Sequence, residues 1–114
     1  MDFDSAILAH VNWRARLLRA INGKSTETLD PTVIESDGCP LGQWLRKEGL
    51  ALSADPGYAE LLRTHAEFHK AAARVVRQVQ GGRPDEARTT LKKDVDRLSL
   101  RVVGKLGVFK RAHA

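Results

Sequence analysis

The fold is decided by the stretch Leu61-Leu62-Arg63-Thr64-His65-Ala66-Glu67-Phe68-His69-Lys70-Ala71-Ala72. Its apolar residues recur at spacings of three and four, which is typical of an amphipathic α-helix. The pattern continues from Tyr58 to Val79 and lies between Asp55-Pro56-Gly57 and Gly81-Gly82. Because Pro is favoured at the start of a helix and Gly at its end, these borders predict one long helix.

Three further helices are expected along the chain. Apolar residues at helical spacing predict a helix from Phe3 to about Asn22, and Lys24 to Pro31 is expected to be a polar connector. Pro40 starts a short helix that runs to about Lys47, and Pro84-Asp85-Glu86 starts the last long helix. No strand pattern or internal repeat competes. We therefore predict one all-α domain over residues 1–114, a four-helix bundle-like fold whose short inserted helix carries the single cysteine.

Composition excludes several classes of protein. The 114 residues contain no apolar run of roughly 18 residues, so no membrane insertion is expected, and Met1-Asp2-Phe3-Asp4 does not resemble a secretory signal. The net charge of +5 could suggest nucleic acid, but the basic residues are spread along the helices and only 5% of residues are aromatic. One cysteine cannot form an intramolecular disulfide, which fits a reducing cytoplasm. We expect solvated helix faces and no nucleic-acid partner.

His65 and His69 are the first candidates for a binding site. Positions i and i+4 of a helix lie on the same face, so two imidazoles at that spacing can converge on one ion at roughly 2.0–2.1 Å from each nitrogen. The pair alone is a weak signal, because two helical histidines are often ordinary polar side chains.

His10 and Cys39 complete a candidate set of metal ligands. His10 lies in the apolar stripe of the first helix, where a histidine is more often a buried side chain with a satisfied ring nitrogen. Cys39 precedes Pro40 at a helix start, where backbone N–H groups favour a thiolate, although a lone cysteine is more often a small buried apolar residue. One thiolate and three imidazoles suit tetrahedral Zn²⁺. His113, the remaining histidine, is expected to be solvated.

The segment Cys39-Pro40-Leu41-Gly42-Gln43-Trp44-Leu45 resembles the Cys-x-Leu-Gly-x-Trp signature of chemoreceptor zinc-binding (CZB) domains. The family has a histidine in the first helix, then this motif, then two histidines separated by three residues. That order is matched by His10, Cys39, His65 and His69, at separations of 29, 26 and 4 residues. The resemblance implies one zinc ion per chain held by these four residues. It also implies a cytoplasmic bacterial regulatory domain that tends to form homodimers.

Two sensing mechanisms are compatible with such a domain. In the first, zinc occupancy itself links helices that otherwise slide, and in the second, an oxidant such as hypochlorous acid attacks the zinc-bound thiolate of Cys39. The resemblance implies control of chemotaxis or of cyclic-di-GMP synthesis by a diguanylate cyclase, through an output domain or protein in cis or in trans. No enzymatic activity is expected, because four protein ligands leave no open position on the metal.

Neighbouring residues have expected supporting roles. Trp44 is expected to pack beneath the metal loop as a core anchor. Glu35, Asp37 and Trp13 are candidates for orienting an imidazole or shielding the thiolate.

A different class of function stays open beside the sensor. The chain could be a helical dimerisation or interaction module whose zinc is purely structural or absent. Leu106, Val108 and Phe109, near the basic end of the last helix, would then form an exposed apolar stripe for a partner.

Overall fold

The structure, a computed structural model, describes residues 1–36 and 39–113, so Asp37, Gly38 and Ala114 lie outside it. Two long helices are α1 (Phe3–Ile21), near the start of the chain, and α4 (Pro56–Gln80), in its middle. Between them lie α2 (Pro31–Glu35), α3 (Pro40–Arg46) and a 3₁₀ turn (Glu48–Leu52). The last helical stretch consists of α5 (Pro84–Thr90), a π-helical turn (Leu91–Val95) and α6 (Asp96–His113).

Aspartates cap the starts of three helices, one of which, α2, the sequence analysis did not predict. Asp2 accepts a hydrogen bond from the Ser5 backbone N–H at the start of α1. Asp30 and Asp55 do the same for α2 and α4, each followed by a proline at the first helical position. Because a side-chain oxygen satisfies an otherwise unpaired N–H, each cap stabilises its helix by about 1 kcal/mol. The expected connector from Lys24 to Pro31 is confirmed only up to Asp30, since Pro31 begins α2.

Cross-helix ion pairs define how the long helices run. Arg14 and Asp4 of α1 pair with Asp96 and Lys110 of α6, at 3.1 and 2.6 Å. In α4, Glu60 pairs with Lys105 and Arg74 with Asp94. In both cases the earlier residue of one helix meets the later residue of the other, so the last helical stretch, the π-helical turn with α6, runs antiparallel to α1 and to α4.

The core confirms the predicted all-α bundle. Leu17 of α1, Leu61 and Phe68 of α4 and Leu106 of α6 are completely buried, and Leu45 of α3 joins them. Burial of such side chains contributes roughly 1.5–3 kcal/mol each. Among the described residues, no helix has both the length and the apolar composition that crossing a membrane requires.

Two expectations about the last helix are wrong. Leu106 and Phe109 are not part of an exposed stripe, because only 0% and 2% of their surfaces are accessible, and Val108 alone of the three is exposed. His113 is not solvated either. Its ring packs on Phe109 at 4.5 Å and its Nε2 lies 2.5 Å from the Asp55 carboxylate, so it joins the end of α6 to the start of α4.

Candidate metal centre

Four side chains from three helices meet inside the bundle. His10 lies on α1, Cys39 directly precedes α3, and His65 and His69 lie on α4. One donor atom from each residue lies within 4.8 Å of the donors of the other three. The three histidines are at most 2% exposed, whereas Cys39 is only half-buried. The expected convergence of these residues is thus present in the fold.

The spacing of the donor atoms fits one small ion. His65 Nε2 lies 3.1 Å from His69 Nε2 and 3.2 Å from Cys39 Sγ. Zn–N and Zn–S bonds at tetrahedral angles would separate two nitrogens by about 3.3 Å and sulfur from nitrogen by about 3.6 Å. Both contacts are within roughly 0.4 Å of those values. These two contacts are therefore compatible with tetrahedral coordination of one ion by the three atoms.

Backbone carbonyls set the orientation of two rings. His10 Nδ1–H donates to the Ala6 carbonyl at 2.7 Å, and His69 Nδ1–H donates to the Ile34 carbonyl at 2.9 Å. Because a neutral imidazole carries one proton, each ring then presents the lone pair of Nε2, the form that ligates a metal. His10 Nε2 is buried and makes no hydrogen bond to any described residue. A buried nitrogen lone pair that accepts no hydrogen bond is satisfied when it binds a metal ion.

Burial favours the neutral form of His10 and His65. The pKa of His10 is lowered from its ordinary value, chiefly because burial disfavours the charged imidazolium. Burial, followed by the neighbouring His69, His10 and Arg46, lowers the pKa of His65 to about 2. Neutral imidazole is the ligating form, so these two rings do not have to release a proton when a metal binds at neutral pH.

Aromatic rings surround the cluster. Phe68 packs against His10 and His69, with ring centroids at 5.4 and 5.5 Å. Trp13 meets His69 edge-on at 6.1 Å, and the Arg16 guanidinium lies 4.0 Å above the Trp13 ring. These rings limit the access of water, which strengthens electrostatic interactions inside the site.

Cys39 occupies the accessible side of the cluster. It lines two surface cavities together with Trp13, one of which also reaches His69 and the other His10. Solvent and small solutes therefore approach the sulfur more readily than the three buried rings.

The expected supporting roles are only partly matched. The Glu35 carboxylate pairs with Arg77 at 2.6 Å, and Asp37 lies outside the described residues. The orienting groups are instead two carbonyls, which the sequence analysis missed. Ile34 belongs to α2. The sequence Asp30-Pro31, typical of a helix start, was the signal from which this helix could have been predicted. Trp44 packs against Phe3 and Phe109 in an aromatic cluster separate from the metal centre, so it contributes to the core, half-buried, but not at the expected place beneath the metal loop.

Comparison with known proteins identifies the family. The family model described as the chemoreceptor zinc-binding domain, CZB, matches residues 10–76, more than half of the 114-residue chain. No curated protein and no solved structure gives a significant match. The matched range contains all four members of the cluster. The chain therefore belongs to the CZB family of regulatory zinc-binding domains, and zinc is its cofactor.

Proposed function

Since the chain is a CZB domain, we propose that it binds one zinc ion through His10, Cys39, His65 and His69 and acts as a cytoplasmic regulatory domain formed by residues 1–114. The observation that carries the proposal is the convergence of four donor atoms within 4.8 Å. The hydrogen bonds from Nδ1 of His10 and His69 support it, because they fix the orientation of both rings and leave each Nε2 lone pair available to the ion.

The donor set supports a regulatory and not a catalytic role. Four protein ligands fill a tetrahedral site, so no position remains for a water molecule or substrate. The formal charge of the site would be +1, from Zn²⁺ and one thiolate. Bound zinc would supply a cross-link between α1, α3 and α4, with Cys39 the least buried participant.

One way to signal is zinc occupancy itself. His10 and the pair His65/His69 belong to α1 and α4, which pack together also through apolar residues. Cys39 starts the seven-residue α3. Zinc binding would therefore favour the arrangement in which the start of α3 is fixed to the long helices.

The second way is oxidation of Cys39. Hypochlorous acid would transfer oxygen to the thiolate, giving a sulfenic acid and chloride. Sulfur loses two electrons in this step, and chlorine gains them. The sulfenic acid is a poorer zinc ligand than the thiolate, so the start of α3 would be released. The half-buried position of Cys39 beside two cavities supports this route.

The output is proposed from family membership alone. The domain would control chemotaxis or cyclic-di-GMP signalling, acting as a homodimer on an output domain or protein in cis or in trans.

Zinc titration against a competing chelator tests the ligand set. We expect one zinc per chain by elemental analysis, and a large loss of affinity for Cys39→Ala. His113→Ala is the matched control, because His113 pairs with Asp55 away from the cluster and its loss should leave zinc affinity unchanged. Equal affinities for the wild-type and Cys39→Ala chains would refute the four-ligand site.

Treatment of the zinc-loaded chain with stoichiometric hypochlorous acid tests the oxidant route. We expect zinc release in proportion to the mass increase of one oxygen on Cys39. Zinc release without modification of Cys39, or modification without release, would contradict this route and leave zinc sensing intact.

The alternative, an interaction module with a structural zinc, is favoured by one observation, the exposed apolar residues of α1 and α6. It predicts that zinc removal changes thermal stability but leaves partner binding or output activity unchanged.

A further inference from the structure

The two cavities that reach Cys39 have walls of different chemistry. The first has a volume of about 340 Å³ and lies between the start of α1 and the start of α3, and we call it the α1–α3 cavity. The second has a volume of about 470 Å³ and lies between α1 and residues 28–34, and we call it the α1–α2 cavity. Trp13 and Cys39 line both. A molecule from solvent therefore has two different routes to the sulfur.

The walls of the α1–α3 cavity are largely apolar. They include Ala6, Ala9 and Trp13 of α1 and Pro40 and Leu41 of α3. Because an alanine side chain ends at Cβ, positions 6 and 9 leave space that a larger side chain would fill. Among the described residues that line this cavity, the only charged side chain is that of Asp2, which is exposed and hydrogen-bonded to Ser5. The route from this outer end to the sulfur is thus uncharged.

The α1–α2 cavity is lined by ionic groups. Arg16 and Asp30 form part of its wall. The Arg16 guanidinium lies 4.0 Å above the Trp13 ring and pairs with Glu27 at 2.9 Å. Charged groups hold water strongly, so this second route is hydrated and is suited to charged molecules.

Cys39 is the donor that a molecule in the α1–α3 cavity can reach. His10 also lines the cavity, but it is only 2% exposed, whereas Cys39 is half-buried. The volume of about 340 Å³ far exceeds the roughly 30 Å³ that one water molecule occupies in the liquid. An oxidant of three atoms, such as hypochlorous acid, therefore fits easily.

We propose that the α1–α3 cavity is the route by which small uncharged oxidants reach Cys39, and that the small side chain of Ala9 keeps this route open. The inference rests on the oxidation of Cys39 in the proposed function, and it specifies the class of oxidant. Moving a charge from water into apolar surroundings costs far more free energy than moving a small neutral molecule. The apolar walls therefore select against anions.

The reaction at the inner end needs only the neutral oxidant and the thiolate. Hypochlorous acid enters as the uncharged acid, and its oxygen forms a bond to sulfur while the O–Cl bond breaks. Both electrons of that bond leave with chloride, and the proton stays on the oxygen of the sulfenic acid.

Alkylation with a matched pair of reagents tests the selectivity. Iodoacetamide and iodoacetate both form an S–CH₂ bond and release iodide, and they are of similar size, but only iodoacetate is charged. In the zinc-loaded chain, the preference of Cys39 for iodoacetamide should exceed that of a short cysteine peptide at least about tenfold, because the anion is excluded from the apolar route. The formal charge of +1 at the zinc site would favour the anion, so such a preference has to come from the route.

Larger side chains in the two cavities test which route is used. Ala9→Phe should slow iodoacetamide by roughly fivefold or more, because the reagent must displace the added ring to pass. Ala15→Phe is the matched control, since Ala15 is also exposed but lies six residues further along, on another side of α1. Val33→Phe narrows the α1–α2 cavity from an exposed position. It should slow iodoacetate and leave the iodoacetamide rate unchanged.

Two results of these alkylations would overturn the proposal. If Ala9→Phe reacts with iodoacetamide as fast as the wild type, or if Val33→Phe slows iodoacetamide instead, the α1–α3 cavity is not the route. If Ala9→Phe slows both reagents equally, the route does not select uncharged molecules. Zinc content, measured for every variant, should equal that of the wild type.

Hypochlorous acid distinguishes a failure of the route from a failure of the proposed function. Peptide masses should place the added oxygen on Cys39, and they separate it from oxidation of the exposed Met1. A wild-type chain whose Cys39 does not react with stoichiometric oxidant would overturn the oxidation mechanism and the route together. Reaction of Cys39 at equal rates in the wild type and in Ala9→Phe would overturn the route alone.

Discussion

The two ends of α3 are held by different interactions. At its start, Cys39 lies 3.2 Å from His65 in a polar cluster suited to a metal ion. At its other end, Trp44 packs edge-on against Phe3 at 5.4 Å, and Leu45 is completely buried. The carbonyl of Leu45 also accepts a hydrogen bond of 2.7 Å from the Tyr58 hydroxyl.

This difference separates zinc-dependent from zinc-independent structure. Apolar burial at the far end of α3 requires no ligand, whereas at the near end a bond from Cys39 to a metal would add a ligand-dependent attachment to the burial of Leu41, which is 1% exposed. Loss of zinc should therefore remove the Cys39 attachment at the near end and leave the apolar contacts of α3 in place. A short element with one permanent and one conditional attachment can report the state of the metal without unfolding the bundle.

The largest expected effect is on zinc binding. His69→Ala should lower zinc affinity a few hundredfold, or about 3–4 kcal/mol, because a site with four ligands contributes roughly 10–16 kcal/mol in total. Competition with a chelator measures the change. His113→Ala should match the wild type. If His69→Ala binds zinc as tightly as the wild type, the zinc-dependent end of α3 has been assigned to the wrong residues.

The second prediction concerns the zinc-independent end. Leu45→Ala should lower the free energy of unfolding by about 3 kcal/mol, because it removes a fully buried side chain. The loss should be equal with and without zinc in urea denaturation. Cys39→Ala should instead leave the stability of the metal-free chain nearly unchanged. A Leu45→Ala effect present only with zinc would show that the two ends are not independent.

The third prediction uses pH to distinguish the ligands. The pKa values of His10 and His65 are lowered, mainly by burial, so both rings are neutral above pH 7. A thiol has an ordinary pKa of about 8.5 and must lose its proton to bind zinc. Between pH 7 and 8, zinc affinity should therefore rise about tenfold for the wild type as the proton becomes easier to displace. Chelator competition with Cys39→Ala should show no such rise. If the zinc affinity of Cys39→Ala rises with pH as steeply as that of the wild type, the displaced proton comes from a histidine and not from Cys39.

The smallest prediction concerns the carbonyl that orients His69. Asp30→Ala removes the cap of α2, the five-residue helix that contains Ile34, at a cost of about 1 kcal/mol. We expect a few-fold loss of zinc affinity, because the His69 ring is then less well oriented. Arg77→Ala is the matched control. It removes only an exposed ion pair to Glu35, and affinity should change by less than about twofold.

Local signals predicted most of the fold and the candidate site. Helical periodicity, together with Pro and Gly at the borders, predicted the three long helices, and the i, i+4 histidines indicated one face. The missed features depend on tertiary contacts. The carbonyl of Ile34 faces His69 only because α2 packs on α4, and His113 is half-buried only because α6 ends beside Asp55. No local pattern contains that information.

The π-helical turn at Leu91–Val95 bears on how this chain tolerates changes in length. Such a turn accommodates one residue more than the flanking α-helix needs. Deleting one residue there would convert it to ordinary α-helix, and α5 and α6 would keep the faces they present to α1 and α4. The same deletion in the middle of α6 would rotate everything beyond it by about 100°. The turn is therefore a position where relatives of this chain can differ by one residue without disturbing the bundle.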